Sequence, residues 1–185
     1  MKDLLQDQIA LLIAKDQIRD VLFRYSRGVD RGDRDLLKSA YHEDAFDEHA
    51  HFYSGNAHLF CDMIIDKGDA FPVLQHYICN SMIDVDGDSA YAESYSFAFQ
   101  RLLHNDQPFD CFYGTRLLDR FERRRGEWKI LHRRVVLDWN RDEELRETWG
   151  RGIFGNHPTP EHMGRRDQGD PSYRRPQDRG RPADR

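Results

Sequence analysis

A chain of 185 residues and 21.9 kDa carries material for one hydrophobic core and excludes two substantial ones. Its formal net charge of -5 and pI near 6.0 exclude the basic surface that a phosphate backbone demands, so no nucleic-acid partner is expected. No apolar run approaches the roughly 20 residues of a membrane span, so no membrane partner is expected either.

The opening stretch MKDLLQDQIALLIAKDQ is amphipathic with acids inside it, unlike a signal peptide. Leu4, Leu5, Ile9, Leu12, Ile13, Ile18, Leu22 and Phe23 recur at three- and four-residue steps and predict a helix over about 3–27, with Gly28 as its stop. A second helix is expected over about 33–41, capped by Asp33, with Leu36, Leu37 and Ala40 as its apolar stripe. One strand follows over 44–51, then a third helix over 57–68. From residue 72 the period changes. Two alternating runs flank Asp86-Gly87-Asp88 and two more flank Arg125-Gly126, which predicts four long antiparallel strands. The expected fold is α+β: a cone-shaped, curved antiparallel sheet packed with three N-terminal helices around an internal pocket.

Beyond the strands the composition shifts. Residues 151–185 hold five of the seven prolines, five of the thirteen glycines, and eight arginines against five acidic residues. The expected division is a barrel-like body over 1–145 and a Pro/Gly/Arg-rich extension over 146–185 that folds poorly and stays solvated. Trp149, Ile153, Phe154, Met163 and Tyr173 nevertheless give the extension spaced anchors, for a neighbouring subunit or the mouth of the cone. Cys61, Cys79 and Cys111 are odd in number, lack metal-binding spacing and read as reduced packing residues of a cytoplasmic protein.

Taken alone, His76 in the first long strand is a core or surface histidine as readily as a base, and Asp30 is a loop or cap aspartate as readily as its partner. The segments around them add more. Tyr25-Ser26-Arg27-Gly28-Val29-Asp30, Asp44 to His49, His76-Tyr77-Ile78-Cys79-Asn80, Asp86-Gly87-Asp88-Ser89-Ala90 and Arg123 to Ile130 stand in an order and spacing that resembles the SnoaL-like branch of the nuclear transport factor 2-like superfamily, over roughly residues 5–140. The subgroup with scytalone dehydratase, hexachlorocyclohexane dehydrochlorinase and bile-acid 7α-dehydratase carries an Asp after helix one and a His on the next long strand. Asp30 and His76 match these positions, so the resemblance implies a dyad in which the carboxylate fixes the imidazole tautomer and the free nitrogen acts as a general base. Tyr25 matches a tyrosine of the bile-acid dehydratase, which implies a hydroxyl donor; the other reading is a packed helix residue. Where that enzyme has a late-strand arginine this chain has Leu137, so no arginine role carries over.

His49 and His51 fit two readings, metal ligands with a third residue not visible in the sequence, or pocket-lining groups able to act as an acid opposite His76. The second is preferred, and no metal is assigned. Arg116 and Tyr95 are expected to bind substrate; His132 and Arg134 are further candidates whose strand face the sequence leaves open. No phosphate loop, dinucleotide fingerprint, GxSxG or CxxC motif offers a seat for a nucleotide cofactor, so none is expected. Aromatics crowd the strand region, which suits a small hydrophobic aromatic or polycyclic substrate.

The function expected is a cofactor-independent lyase that loses water or formaldehyde. The second loss follows from a looser resemblance of Met163 to Asp167 and Asp170 to Tyr173 to the tails of diarylpropane lyases. Two alternatives stand beside it: a non-catalytic ligand-binding or oxygenase β-subunit-like module, and a ketosteroid-isomerase-like isomerase. A homotrimer or homodimer is expected, as in similar enzymes.

Overall fold

The computed structural model describes residues 2–104, 107–152 and 156–174. Its elements are helices α1 (Lys2–Arg31), α2 (Arg34–Ser39) and α3 (Ala57–Asp66), and strands β1 (Tyr41–His49), β2 (Tyr53–Asn56), β3 (Leu74–Asp86), β4 (Ser89–His104), β5 (Gln107–Arg124) and β6 (Glu127–Glu144). Among the described residues no helix is long and apolar enough to cross a membrane.

Ala14, Ile18, Val21, Leu22, Tyr25 and Val29 form the buried stripe of α1, at the spacing that keeps side chains on one helical face. Leu4, Leu5, Ile9 and Leu12 continue the pattern but are exposed. The stripe read from Leu4 enters the core only from Ala14, because α2, β3 and β6 pack on the later turns. Gly28 does not stop the helix, which runs on to Arg31 and turns at Gly32 with φ 65°. The missing side chain at 28 serves packing instead: a Cβ there would lie 2.6 Å from the backbone of Leu37, the fully buried residue of α2. Asp33 caps α2 as expected, accepting the Leu36 N–H at 3.0 Å. Asn56 caps α3 by accepting from the His58 and Leu59 amides.

The six strands lie in the order β2-β1-β6-β5-β4-β3. The four long strands are antiparallel as expected, whereas β1 runs parallel to β6, so the curved, unclosed sheet is mixed rather than purely antiparallel. This follows from α2, which returns the chain to the sheet pointing along β6, with the Ile130 N–H donating to the Ala40 carbonyl at 2.9 Å. Arg125 and Gly126, with φ 53° and 82°, supply the two left-handed residues of a tight hairpin turn.

The extension departs from the sequence expectation. The three-residue turns Pro160–His162 and Pro171–Tyr173 are its only regular structure between 156 and 174, yet this segment folds back on α1 and α2. Asp170 is buried and accepts from the Arg31 guanidinium at 3.0 Å and from the Arg165 amide at 2.8 Å. The Tyr173 hydroxyl donates to Asp33 at 2.8 Å, with the Arg27 guanidinium 5.0 Å above its ring. Polar contacts of this kind carry no hydropathy signal. The expected anchors Ile153 and Phe154 lie outside the described residues. Cys61 and Cys111 are buried as expected, but Cys79 is exposed.

One ion pair sits entirely inside the sheet. Arg133 donates to Asp119 through Nε and Nη2, both at 2.7 Å, and neither side chain is exposed. Burial opposes the charge on Arg133, but Asp119 outweighs it and holds the guanidinium well above its ordinary pKa. Replacing Asp119 by Ala strands this charge and is expected to destabilise the fold by about 3–5 kcal/mol. Urea unfolding of the variant measures the loss; one under 1 kcal/mol would show that the pair is dispensable.

Candidate functional site

The inner face of the sheet, α1 and α3 enclose a cavity of about 680 Å³. Strand pairing decides which side chains reach it. His76 stands opposite Ala98, which stands opposite Tyr113, and Ser96 stands opposite Thr115, itself opposite Leu137. His76, Tyr113, Ser96, Thr115 and Leu137 all line the cavity, with Phe60, Met63 and Ile64 of α3 across from them.

The same pairing corrects two expectations. Tyr95 stands opposite Arg116, one residue off the inner register, and both point to the outer face. There Arg116 pairs with Asp138 at 3.0 Å and Glu93 at 3.3 Å, while Tyr95 is 45% exposed. Neither can hold a ligand in the cavity. His132 and Arg134 also leave the cavity, where both meet Glu48. The residue between them, Arg133, is the one that turns inward.

The last turn of α1 and the start of β3 bring Asp30 and His76 together. Asp30 accepts the His76 backbone N–H through Oδ2 at 2.9 Å and meets Nδ1 through Oδ1 at 2.6 Å. A carboxylate cannot donate, so Nδ1 is the donor, and in the neutral ring the lone pair falls on Nε2. His76 lines the cavity and also an outer groove shared with Ser26, Arg27 and Asp30. The pair thus faces the cavity on one side and the outer groove on the other.

Tyr25 is in the lining but deeply set, its ring 6.4 Å from that of His76 and edge-on to it, with the Arg133 guanidinium 4.1 Å from its centroid. Burial pushes the Tyr25 phenol far above its ordinary pKa and acts on Tyr113 in the same direction. Both remain hydroxyl donors at any physiological pH. Tyr113, whose ring centroid lies 6.5 Å from that of His76, was missed in the sequence because alternation alone does not say which face of β5 turns inward; it shares the cavity face with Cys111, Thr115 and Leu117.

His49 and His51 both line the cavity, although β1 ends at His49 and Ala50 adopts φ 52°, so they are not two strand neighbours on one face. His49 stacks on Phe60 with centroids 4.4 Å apart, and its Nδ1 lies 3.1 Å from the fully buried Asp47, which also accepts the Tyr41 hydroxyl at 2.7 Å. In the sequence Asp47 stands only as the first residue of an Asp-x-His common in the SnoaL-like pattern, with no role assigned to it. No group of three or more His, Cys, Asp or Glu side chains suited to a metal forms among the described residues. Of the three histidines that line the cavity, His76 and His49 are each oriented by a carboxylate, in a largely apolar wall. Such an arrangement can remove a proton at one point and return one at another.

Comparison with known proteins agrees with the fold. Residues 10–134 match the model of the SnoaL-like domain. A protein of Novosphingobium aromaticivorans DSM 12444 provisionally named a scytalone dehydratase superposes with a TM-score of 0.66 at 20% identity, over 76% of this chain and 95% of its own. Hexachlorocyclohexane dehydrochlorinase LinA-type3 of Novosphingobium barchaimii LL02 gives 0.67 at 17%, over 83% and 99%. An NTF2-like protein with a cystatin-like fold, also from Novosphingobium aromaticivorans, gives 0.56 at 21%, over 72% and 87%. At these identities the likeness is one of fold. No curated protein matches the chain.

A neutral aromatic alcohol such as 2-naphthol is expected to bind in the cavity and raise the Tm. Leu137 lines the cavity and is 54% exposed, so Leu137→Glu tolerates folding while placing a charge against the ligand. It is expected to weaken binding at least about tenfold. Calorimetric titration checks this, and equal affinity in the two proteins would place the ligand elsewhere.

Proposed function

The chain belongs to the SnoaL-like domain family, and from that premise we propose that it is a cofactor-independent lyase acting on a hydrophobic aromatic or polycyclic small molecule. The observation that carries this reading is the 2.6 Å contact between His76 Nδ1 and Asp30 Oδ1 at the wall of an apolar cavity. The dehydratase and dehydrochlorinase names among the structural neighbours support the reaction class. A binding module needs no carboxylate fixing the tautomer of a cavity histidine, so the geometry favours the enzyme.

In the dehydration form, His76 Nε2 takes a proton from carbon. The C–H electron pair becomes the new π bond, and the neighbouring hydroxyl departs as water with a proton returned by an acid. His49, held by Asp47, is placed to supply that proton, and Tyr113 or Tyr25 to hold the oxygen as charge develops on it. In the deformylating form, Nε2 takes the proton of a hydroxymethyl group. Its O–H electrons form the carbonyl of formaldehyde, and the pair from the broken C–C bond is protonated or expels a neighbouring hydroxyl. Both forms need one oriented base and no bound redox group. His51 borders the substrate space without an ionic role. Placement in the cytoplasm belongs to the same reading, supported by the three unpaired cysteines.

Incubation with aromatic diols is expected to give a product lighter by one water or one formaldehyde, and His76→Ala and Asp30→Asn are expected to lower kcat/KM by about 10²–10⁴. A product of unchanged mass would indicate an isomerase, and full turnover by His76→Ala would remove the dyad. Assembly is a further part of the reading: Tyr77, Met82, Tyr91 and Tyr95 are exposed on the outer sheet face and support a homotrimer or homodimer. Sedimentation of a monomer at micromolar concentration would rule it out.

A further inference from the structure

Asp30 occupies the last turn of a 30-residue helix, where the helix dipole and the unpaired terminal carbonyls oppose a negative charge. The C-terminal segment brings a compensating group to this point. Arg166 donates through Nε to the carbonyl of Val29, the residue before Asp30, at 3.2 Å. That carbonyl otherwise has only a long contact of 3.4 Å from the Gly32 amide.

The position of Arg166 is shaped by two glycines. A Cβ on Gly32 would come within 2.8 Å of the Arg166 carbonyl oxygen, and one on Gly68 within 3.0 Å of its Nη1. The side chain therefore runs between the end of α1 and the turn after α3. Burial lowers the pKa of Arg166 and the charge of Asp30 acts to raise it, so the two groups sense each other. Its Nη2 is buried without a hydrogen-bond partner among the described residues, on the side chain that reaches the residue next to Asp30. Asp170 and Tyr173 hold the segment in place through Arg31, Asp33 and Arg27.

We propose that Arg166 is a positioning residue for the Asp30–His76 pair: delivered by the C-terminal segment, it caps α1 at Val29 and keeps a positive charge beside the Asp30 carboxylate. The proposal rests on the dyad reading. It makes the extension part of the site from behind, on the side of the dyad away from the substrate. The other charged or titratable groups facing the pair are Arg31, neutralised by Asp170, Arg27 over Tyr173, the phenols of Tyr25 and Tyr113, and, around the cavity, His49, His51, Cys111, Asp138 and Lys67.

The sign of the effect follows from the charges. Removing the cation makes Asp30 easier to protonate and His76 easier to charge, so the acid limb of kcat/KM moves to higher pH. Arg166→Met is expected to shift this limb by roughly half a unit or more and to lower kcat about tenfold with KM within about twofold, and Arg166→Lys to restore most of both. A readout without substrate is the downfield ¹H resonance of His76 Nδ1–H in ¹⁵N-histidine-labelled protein, expected to move or broaden in Arg166→Met and to return in Arg166→Lys. Should Arg166→Met not fold, the pair Asp170→Asn and Tyr173→Phe loosens the segment and is expected to move the resonance in the same direction. An unmoved resonance in a folded Arg166→Met protein overturns the proposal. If no substrate is found, the lyase reading fails while the resonance still decides this one.

Discussion

A single carboxylate joins the helical layer to the sheet at the place where chemistry is possible. Asp30 binds both the backbone amide and the ring of His76, so it fixes the height of β3 against α1 as well as the tautomer of the imidazole. The neighbouring features serve that junction. Gly28 lets α2 close against α1, Gly32 turns the chain out of the helix, and Asp33 caps the next helix while holding Tyr173. Shifting α1 by one residue would carry Asp30 about 100° around the helix and away from β3. The tightness of the α1–α2 corner is therefore part of the site.

The floor of the cavity follows a second rule, that buried charge must be paired. Arg133 and Asp119 neutralise each other, and Tyr25 covers the guanidinium with its ring. Asp47 has no such cation; its partners are the Tyr41 hydroxyl and His49. The two carboxylate-bound histidines are placed unequally: His76 and its carboxylate border the outer groove, whereas the carboxylate facing His49 has no exposure at all.

The order of elements was legible in the sequence because periodicity and caps are local: Asp33, the hairpin at Asp86-Gly87-Asp88 and the turn at Arg125-Gly126 each act within a few residues. Asp30 and His76 were legible only as a resemblance, since 46 positions separate two side chains that meet across layers. Strand face was not legible. Alternation gives two faces without saying which is the inner one, and only the assembled sheet turns Tyr113 and Arg133 inward and Arg116, Tyr95, His132 and Arg134 away. The direction of β1 was lost for a similar reason: parallel and antiparallel strands share one alternation, and α2 decides between them.

The low mean hydropathy of the chain, -0.86, can now be divided among three parts of the molecule. Part of it lies in the extension, but that segment is polar because it docks by hydrogen bonds: Asp170 alone accepts from Arg31, Arg165 and Ser172, and these hold its carboxyl well below the ordinary range against the cost of burial. Most of the rest is exposed charge on the body, and a small part lies in the core, where Asp30, Asp47, Asp119 and Arg133 are buried. Each such place forfeits hydrophobic stabilisation of about 1.5–3 kcal/mol. A fold that accepts this loss four times around one cavity is shaped by what the cavity does more than by what holds it together.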